Sequence, residues 1–385
     1  MTSTEVHMTK LLSFLFACIP LLGAHQASAE VGVSKNRILI GQNITLQGGK
    51  NDYGVAVMAG MEVYLSGINL RGGVNGRHII LKTRDDDNKS DLAEANARQL
   101  VEKDKVFILF GSIEGGPSTA VMKAANELKV PFFGPMAGSP TLRRPHQALV
   151  YPVRAEHRDE FRAMLTQAKS LGMTKVAFLR SDSETGQQHL ANVKLICDEL
   201  GMKMVLDMPF KSDIKEAQFD AYAKQMANTG AQMVLNHGGI GIYETLIRKL
   251  RASGNKSAIY AVNSGSAQLA KKLGPMAEGI VFSQVVPNPW GRKTAITREY
   301  QEEFMRLKPG QEFSYGSLEG YITAKALVLA LRQAGTNLTR DSFVTALNGT
   351  ALELNGLKAL YAPGNHQGLA FVDLSFVNHD GKFTH

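Results

Sequence analysis

The stretch "KVFILFGSIEGGPSTAVMKAANELK", residues 105–129, decides the reading of the fold. An apolar run of strand type ends at Phe110. A glycine-rich turn follows, and then a helical pattern opens at about Gly116. Strand, glycine turn and helix in that order is the layout of a phosphate-binding loop. Gly111, Gly116 and Ser118 fit G-x-x-x-x-G-K-[ST], but Pro117 occupies the lysine position. Without that lysine no side chain neutralises β- and γ-phosphates. The amides behind Gly115 and Gly116 and the positive end of the helix still favour an anion, and a carboxylate fits better than a nucleotide. Pro117 suits a first helical position, where its missing N–H costs nothing.

The same alternation continues outward. Residues 37–46 and 77–85 read as strands, and residues 53–69 as a helix with Val57, Met61, Tyr64, Leu65 and Ile68 spaced by threes and fours. A second block restarts near residue 154, with strands at 175–180, 203–210, 231–236 and 257–263 separated by helical segments. Strands separated by helices of this length form parallel sheets covered on both faces. The expectation is two α/β lobes. Long helices near 298–308 and 316–335 and a last strand at 369–377 return to both lobes.

The chain has 385 residues, 44% of them hydrophobic and 20% charged, which suits two globular domains. Its net charge of +8 is scattered, with no run longer than a pair, and the sole tryptophan, Trp290, offers no stacking platform. Nucleic acid is therefore not expected as a partner. Lys10 precedes an apolar run of 12 residues, 11–22, and Ala27-Ser28-Ala29 forms a small-x-small end. That describes a cleavable signal peptide over residues 1–29 and a periplasmic mature chain beginning at Glu30. Met8 is an alternative start, and "LFAC" (15–18) an alternative lipoprotein site. Only Cys197 then remains, on a helical pattern, and reads as a buried structural thiol.

No catalytic constellation emerges. "RDDDNKSD" (84–91) lacks the ligand alternation of a calcium loop, and no G-x-S-x-G elbow is present. The ten histidines show no H-E-x-x-H and no metal-ligand spacing with cysteines, so neither a metal nor a cofactor is expected. His237, beside Gly238 and Gly239, reads as a polar lining residue.

Three stretches carry a resemblance: "GQNITLQGGKNDYGVAVMAGMEVYLSGINLRGGVNGRHIILKTRDDD" (41–87), "FGSIEGGPSTAVMKAANELKVPFFGPMAGSPTL" (110–142) and "GLAFVDLSFVNHDGKF" (368–383). They resemble the leucine/isoleucine/valine-binding family, type I periplasmic binding proteins that serve ABC transporters. The resemblance implies two Rossmann-like lobes joined by three crossovers, about 31–153 plus 283–366 and 154–282 plus 367–385. It implies a monomer that closes on a small carboxylate-bearing ligand and delivers it to a membrane permease, with no enzymatic activity.

Residue by residue, the resemblance places Tyr53 at the cleft edge. It places Ile113, Glu114, Gly115 and Gly116 in the turn that holds the ligand carboxylate, and Met136, Ala137 and Gly138 in a second carboxylate loop. The family often has a threonine hydroxyl where Gly138 stands, and Ser139 is the adjacent substitute. In the second lobe Thr185, Gly239 and Ile240 fall where aromatic residues are common, and Asn263 falls near the family's ammonium-binding glutamate. Asparagine there favours an acid without an ammonium. Glu114, if turned inward, favours an amino group instead. An amino acid, an aromatic or aliphatic acid and a neutral amide all remain open, as does an exported sensor.

Overall fold

The computed structural model describes Met1 and residues 30–48, 51–262 and 265–385. The segment read from sequence as a signal peptide lies, after Met1, outside the described residues, as does Asn263.

The first half runs β1 (Arg37–Ile44), α1 (Asn51–Leu70), β2 (His78–Asp85), α2 (Ser90–Glu102), β3 (Leu109–Phe110), α3 (Gly115–Glu127), β4 (Phe132–Phe133) and β5 (Val150–Tyr151). The second block runs α4 (His157–Ser170), β6 (Lys175–Ser181), α5 (Glu184–Glu199), β7 (Lys203–Phe210), α6 (Glu216–Thr229), β8 (Met233–Asn236), α7 (Ile240–Ala252), β9 (Ala258–Ala261), α8 (Ser266–Leu273) and β10 (Val281–Gln284). The remainder is α9 (Ala295–Leu307), α10 (Tyr315–Gln333), α11 (Arg340–Leu347), β11 (Ala351–Glu353), β12 (Lys358–Ala362), β13 (Asn365–Gly368), β14 (Asp373–Val377) and β15 (Phe383–Thr384).

The first sheet has the order β2-β1-β3-β4-β5 and is parallel throughout. The second has the order β15-β14-β10-β9-β8-β6-β7. It is parallel from β7 to β10, while β14 pairs antiparallel with β10 and β15 with β14. The expectation of wholly parallel sheets is corrected at that edge. β14 returns from the far lobe, so it enters the sheet with no helical crossover to set its direction. The small antiparallel sheet β11-β12-β13 and the helices α8 and α11 were not legible as elements in the sequence.

Strand order locates the crevices. In each sheet the winding reverses once, between β1 and β3 in the first and between β6 and β8 in the second. Ligands of open α/β sheets bind outside the carboxyl ends of the strands at such switch points. The loops there are 111–115 in one lobe and 182–185 and 237–239 in the other.

α1 buries the side chains that its spacing selected, among them Val57, Met61, Tyr64, Leu65 and Ile68. It lies unusually close to α10. A side-chain carbon on Gly60 would fall 1.8 Å from Ser317 O, and one on Gly320 2.0 Å from Val57 O. Glycine is required at that crossing because backbone meets backbone. Separate apolar cores fill the two lobes. Cys197 is buried in the second core, and burial pushes its thiol up to about 11. That fits a structural thiol rather than a nucleophile.

The chain crosses between lobes three times, after β5, after β10 and after β13. β10 stays in the second sheet to Gln284, and β13 stays in the small sheet to Gly368.

Candidate functional site

After Phe110 the backbone turns through Gly111 at φ 66°, Ser112 at φ 143° and Glu114 at φ 69°. Two non-glycine residues in that region mark a strained turn, and such strain persists only where neighbours hold it. The neighbour is the 136–139 loop. Met136 N–H donates to Ser112 O at 2.8 Å, and Ile113 and Met136 form a parallel bridge. A side-chain carbon on Gly115 would lie 3.6 Å from Ser139 Cβ, so the two loops expected from the sequence to hold a carboxylate lie against each other.

Glu114 does not cap α3 with its side chain. The helix begins at Gly115, so Pro117 is its third residue rather than its first. Its missing N–H still falls among the amides without an intrahelical acceptor. The Ser112 hydroxyl is buried with no hydrogen-bond partner among the described residues. Ser139 Oγ shares a 2.8 Å hydrogen bond with Thr141 Oγ1, which lies 3.1 Å from Thr119 Oγ1. Ile113, Met136 and Ala137 are buried beneath these groups.

Two members sit differently from the others. Gly116 is exposed, and a side-chain carbon there would meet Ser90 Oγ at 2.9 Å, on the side of α2. Gly138 has no room for any side chain, since an added carbon would lie 2.6 Å from His157 Nδ1. His157 N–H donates to Gly138 O at 2.9 Å.

Tyr53 is 7% exposed, in the first turn of α1, and its hydroxyl donates to Glu319 Oε2 at 2.5 Å. Burial pushes this phenol well above its usual range, and the Glu319 charge adds to that. Glu319 belongs to a buried set at the crossovers. Arg154 Nη1 lies 3.9 Å from Glu319 Oε1, and Arg154 Nη2 donates to Glu160. Glu160 also accepts from Ser283 Oγ at 2.5 Å and lies 2.8 Å from His157 Nδ1. Tyr53 and Glu319 come from the first lobe, Glu160 from the second, and Arg154 from the connection between them. The cavity beside Tyr53, about 70 Å³, is lined also by Gln268 and Gly316. Ligand pockets usually hold roughly 300–1,000 Å³. A roomier cavity of about 660 Å³ lies against Trp290 and Phe383 and touches neither the 111–115 turn nor the 136–139 loop.

In the second lobe Thr185 is half-buried in the first turn of α5. Gly239 is exposed at the start of α7, while Ile240 is buried in the second core. Tyr243, one turn on, donates to Asn236 O at 2.5 Å. Burial pushes its phenol well up, and the negative charge of Glu114 in the opposite lobe adds to that.

Sequence reasoning missed Ser112, Arg154, Glu160, Glu319 and two histidines. Ser112 was discoverable, since it stands in the quoted glycine turn. The charged residues were not, because their partners come from four separate segments. Among the described residues, one set of side chains converges as a metal could require: His157, His189 and His237. Linear spacing could not show it.

Comparison with known proteins gives a consistent picture. The sequence model described as periplasmic binding protein matches residues 37–379. A Leu/Ile/Val-binding protein homolog 7 from Brucella suis biovar 1 is 25% identical over 348 residues, which is 85% of this chain and 83% of the relative. A possible leucine/isoleucine/valine-binding protein from Rhodopirellula baltica superposes with a TM-score of 0.82 at 21% identity, covering 93% of this chain and 98% of that one. An ABC-transporter solute-binding protein from R. palustris, solved with benzoate, superposes at 0.76 with 17% identity over 91% of this chain and 95% of its own.

Proposed function

Because the chain belongs to the periplasmic binding protein family, whose members bind substrates without transforming them, we propose that it captures a small carboxylate-bearing molecule between its lobes and delivers it to an ABC-transporter permease. The observation that carries this reading is the strained turn at Ser112 and Glu114, docked on the 136–139 loop. It presents a buried, unpartnered Ser112 hydroxyl next to a helix start that Glu114 leaves uncapped. A carboxylate satisfies such donors and interacts favourably with the helix end. Tyr53, committed to Glu319, supports the cleft rather than the ligand.

A second reading has its own support. Glu114, at the start of α3, offers a carboxylate to an ammonium, which favours an amino acid over a simple acid. The names of relatives point both ways: Leu/Ile/Val-binding for the Brucella proteins, benzoate for the R. palustris structure.

The lobes, taken as 31–153 with 283–366 and 154–282 with 367–385, close as a monomer about the three crossovers. The exported chain begins at Glu30 after removal of residues 1–29, and Glu30 already serves the fold by accepting from Arg340 N–H at 3.1 Å. A thermal-shift screen of the purified protein against leucine, benzoate and octanoate tests the function. A stabilising acid whose uptake fails when the gene is deleted supports it. Hydrolysis or other turnover of a bound compound contradicts it.

A further inference from the structure

We infer that His157, His189 and His237 form a binding site for one divalent transition-metal ion of the zinc class, set in the second lobe against the 136–139 loop. His157 opens α4, His189 lies inside α5, and His237 follows β8 at the switch point. One ring nitrogen from each lies within 4.8 Å of the others. The ring centroids are 4.6 Å apart for His157 and His237, 4.1 Å for His189 and His237, and 5.3 Å for His157 and His189.

The second observation is at His189. It is fully buried, and neither ring nitrogen has a hydrogen-bond partner among the described residues. A buried imidazole whose polar atoms are unmatched is unfavourable. A metal ion in the middle of the three rings removes that deficit.

The surroundings suit such an ion. His157 presents Nδ1 to Glu160 at 2.8 Å, the carboxylate–histidine pairing that fixes the orientation of a ligating ring. Glu160 is itself held by Arg154 and Ser283. Phe161 packs against all three rings, with centroids 5.3–6.2 Å away, and closes the floor. Around a tetrahedral zinc at ~2.0–2.1 Å, nitrogen ligands stand roughly 3.4 Å apart, so the widest pair needs to close by about 1.4 Å at most. His237 is followed by Gly238 and Gly239 on a half-buried loop, where such a shift is cheapest. Three imidazoles without a thiolate suit zinc, copper or nickel rather than magnesium or calcium. They leave a fourth position for water or for a carboxylate.

The inference stands without the carboxylate reading, because zinc alone is the probe. Tag-free, chelator-stripped protein is titrated with zinc chloride in competition with a chromophoric indicator, and cobalt(II) is added separately for its visible spectrum. We expect one zinc per chain and the absorption of four-coordinate cobalt. His189→Gln and His237→Gln are each expected to weaken zinc at least 100-fold, whereas His379→Gln, on the surface, leaves it unchanged. If His189→Gln does not fold, His237→Gln decides alone, with circular dichroism as the check on folding. No zinc binding, unaltered affinity in a folded variant of the site, or a purely octahedral cobalt spectrum overturns the inference.

Discussion

The Tyr53 hydroxyl and the Glu319 carboxylate, 266 residues apart in sequence, are joined by a 2.5 Å hydrogen bond beneath the cleft. Both are nearly sealed from solvent, at 7% and 1% exposure. The bond ties the start of α1 to the second turn of α10. Tyr53→Phe is expected to destabilise the protein by about 1–3 kcal/mol, since a charged acceptor stays buried without its donor. Ligand affinity should change less than threefold. Urea unfolding and calorimetry with a confirmed ligand check the two halves separately.

Arg154 faces Glu160 and Glu319 with 1% of its own surface exposed. Replacing it with methionine leaves two buried carboxylates without their cation. Breaking a buried ion pair by removing one partner costs about 3–5 kcal/mol. Urea denaturation should show a loss of that size for Arg154→Met. A variant as stable as the parent would mean that the carboxylates are compensated elsewhere.

Much of the fold was legible because helix period and strand runs are local signals. α1, β6, β7 and α10 fall within a few residues of their expected places. The glycine turn between β3 and α3 was legible for the same reason, since Gly111, Gly115 and Pro117 stand within seven residues. Ile240, the first residue of α7, is packed in the second core, which its place in the linear sequence did not show. The Arg154 network and the convergence of His157 and His189 on His237 were invisible because long-range packing alone assembles them. The antiparallel β14 was read as one more strand, since its direction depends on a return from the other lobe.

His366 is 4% exposed, stacked on Tyr151 at 4.1 Å, with Nδ1 at 2.8 Å from Val150 O and Nε2 at 3.0 Å from Asn348 Oδ1. Burial, with His146 adding to it, lowers its pKa below the ordinary value despite the Val150 and Gln147 backbone bonds. The unfolded chain therefore takes up the proton first as pH falls. The contribution to stability is complete above about pH 6.5 and is lost as pH drops towards the folded-state value, by at most about 1.4 kcal/mol per pH unit. Urea midpoints measured between pH 7.5 and roughly pH 5 should fall, and His366→Gln should flatten part of that slope. An unchanged slope in the variant assigns the acid sensitivity to other groups.

Glu114 separates the two ligand readings. If the ligand is an amino acid, Glu114→Gln removes the partner of its ammonium and should weaken binding tenfold or more, about 1.4 kcal/mol. If the ligand is a simple acid, the same change removes a like charge and should leave affinity unchanged or improve it. Calorimetric titration of leucine and benzoate into both proteins gives the answer.

The central claim is that the first-lobe turn holds a carboxylate, and matched pairs of acid and amide test it most directly. Thermal shift is measured for leucine against leucinamide and for benzoate against benzamide, on the parent protein and on Gly115→Pro, which lacks one amide at the turn. The account predicts that an acid at 100 times its dissociation constant adds about 2.7 kcal/mol of stability, that its amide does not, and that Gly115→Pro loses the effect while keeping its fold. An amide that stabilises as well as its acid, or a Gly115→Pro protein that binds the acid unchanged, would contradict it.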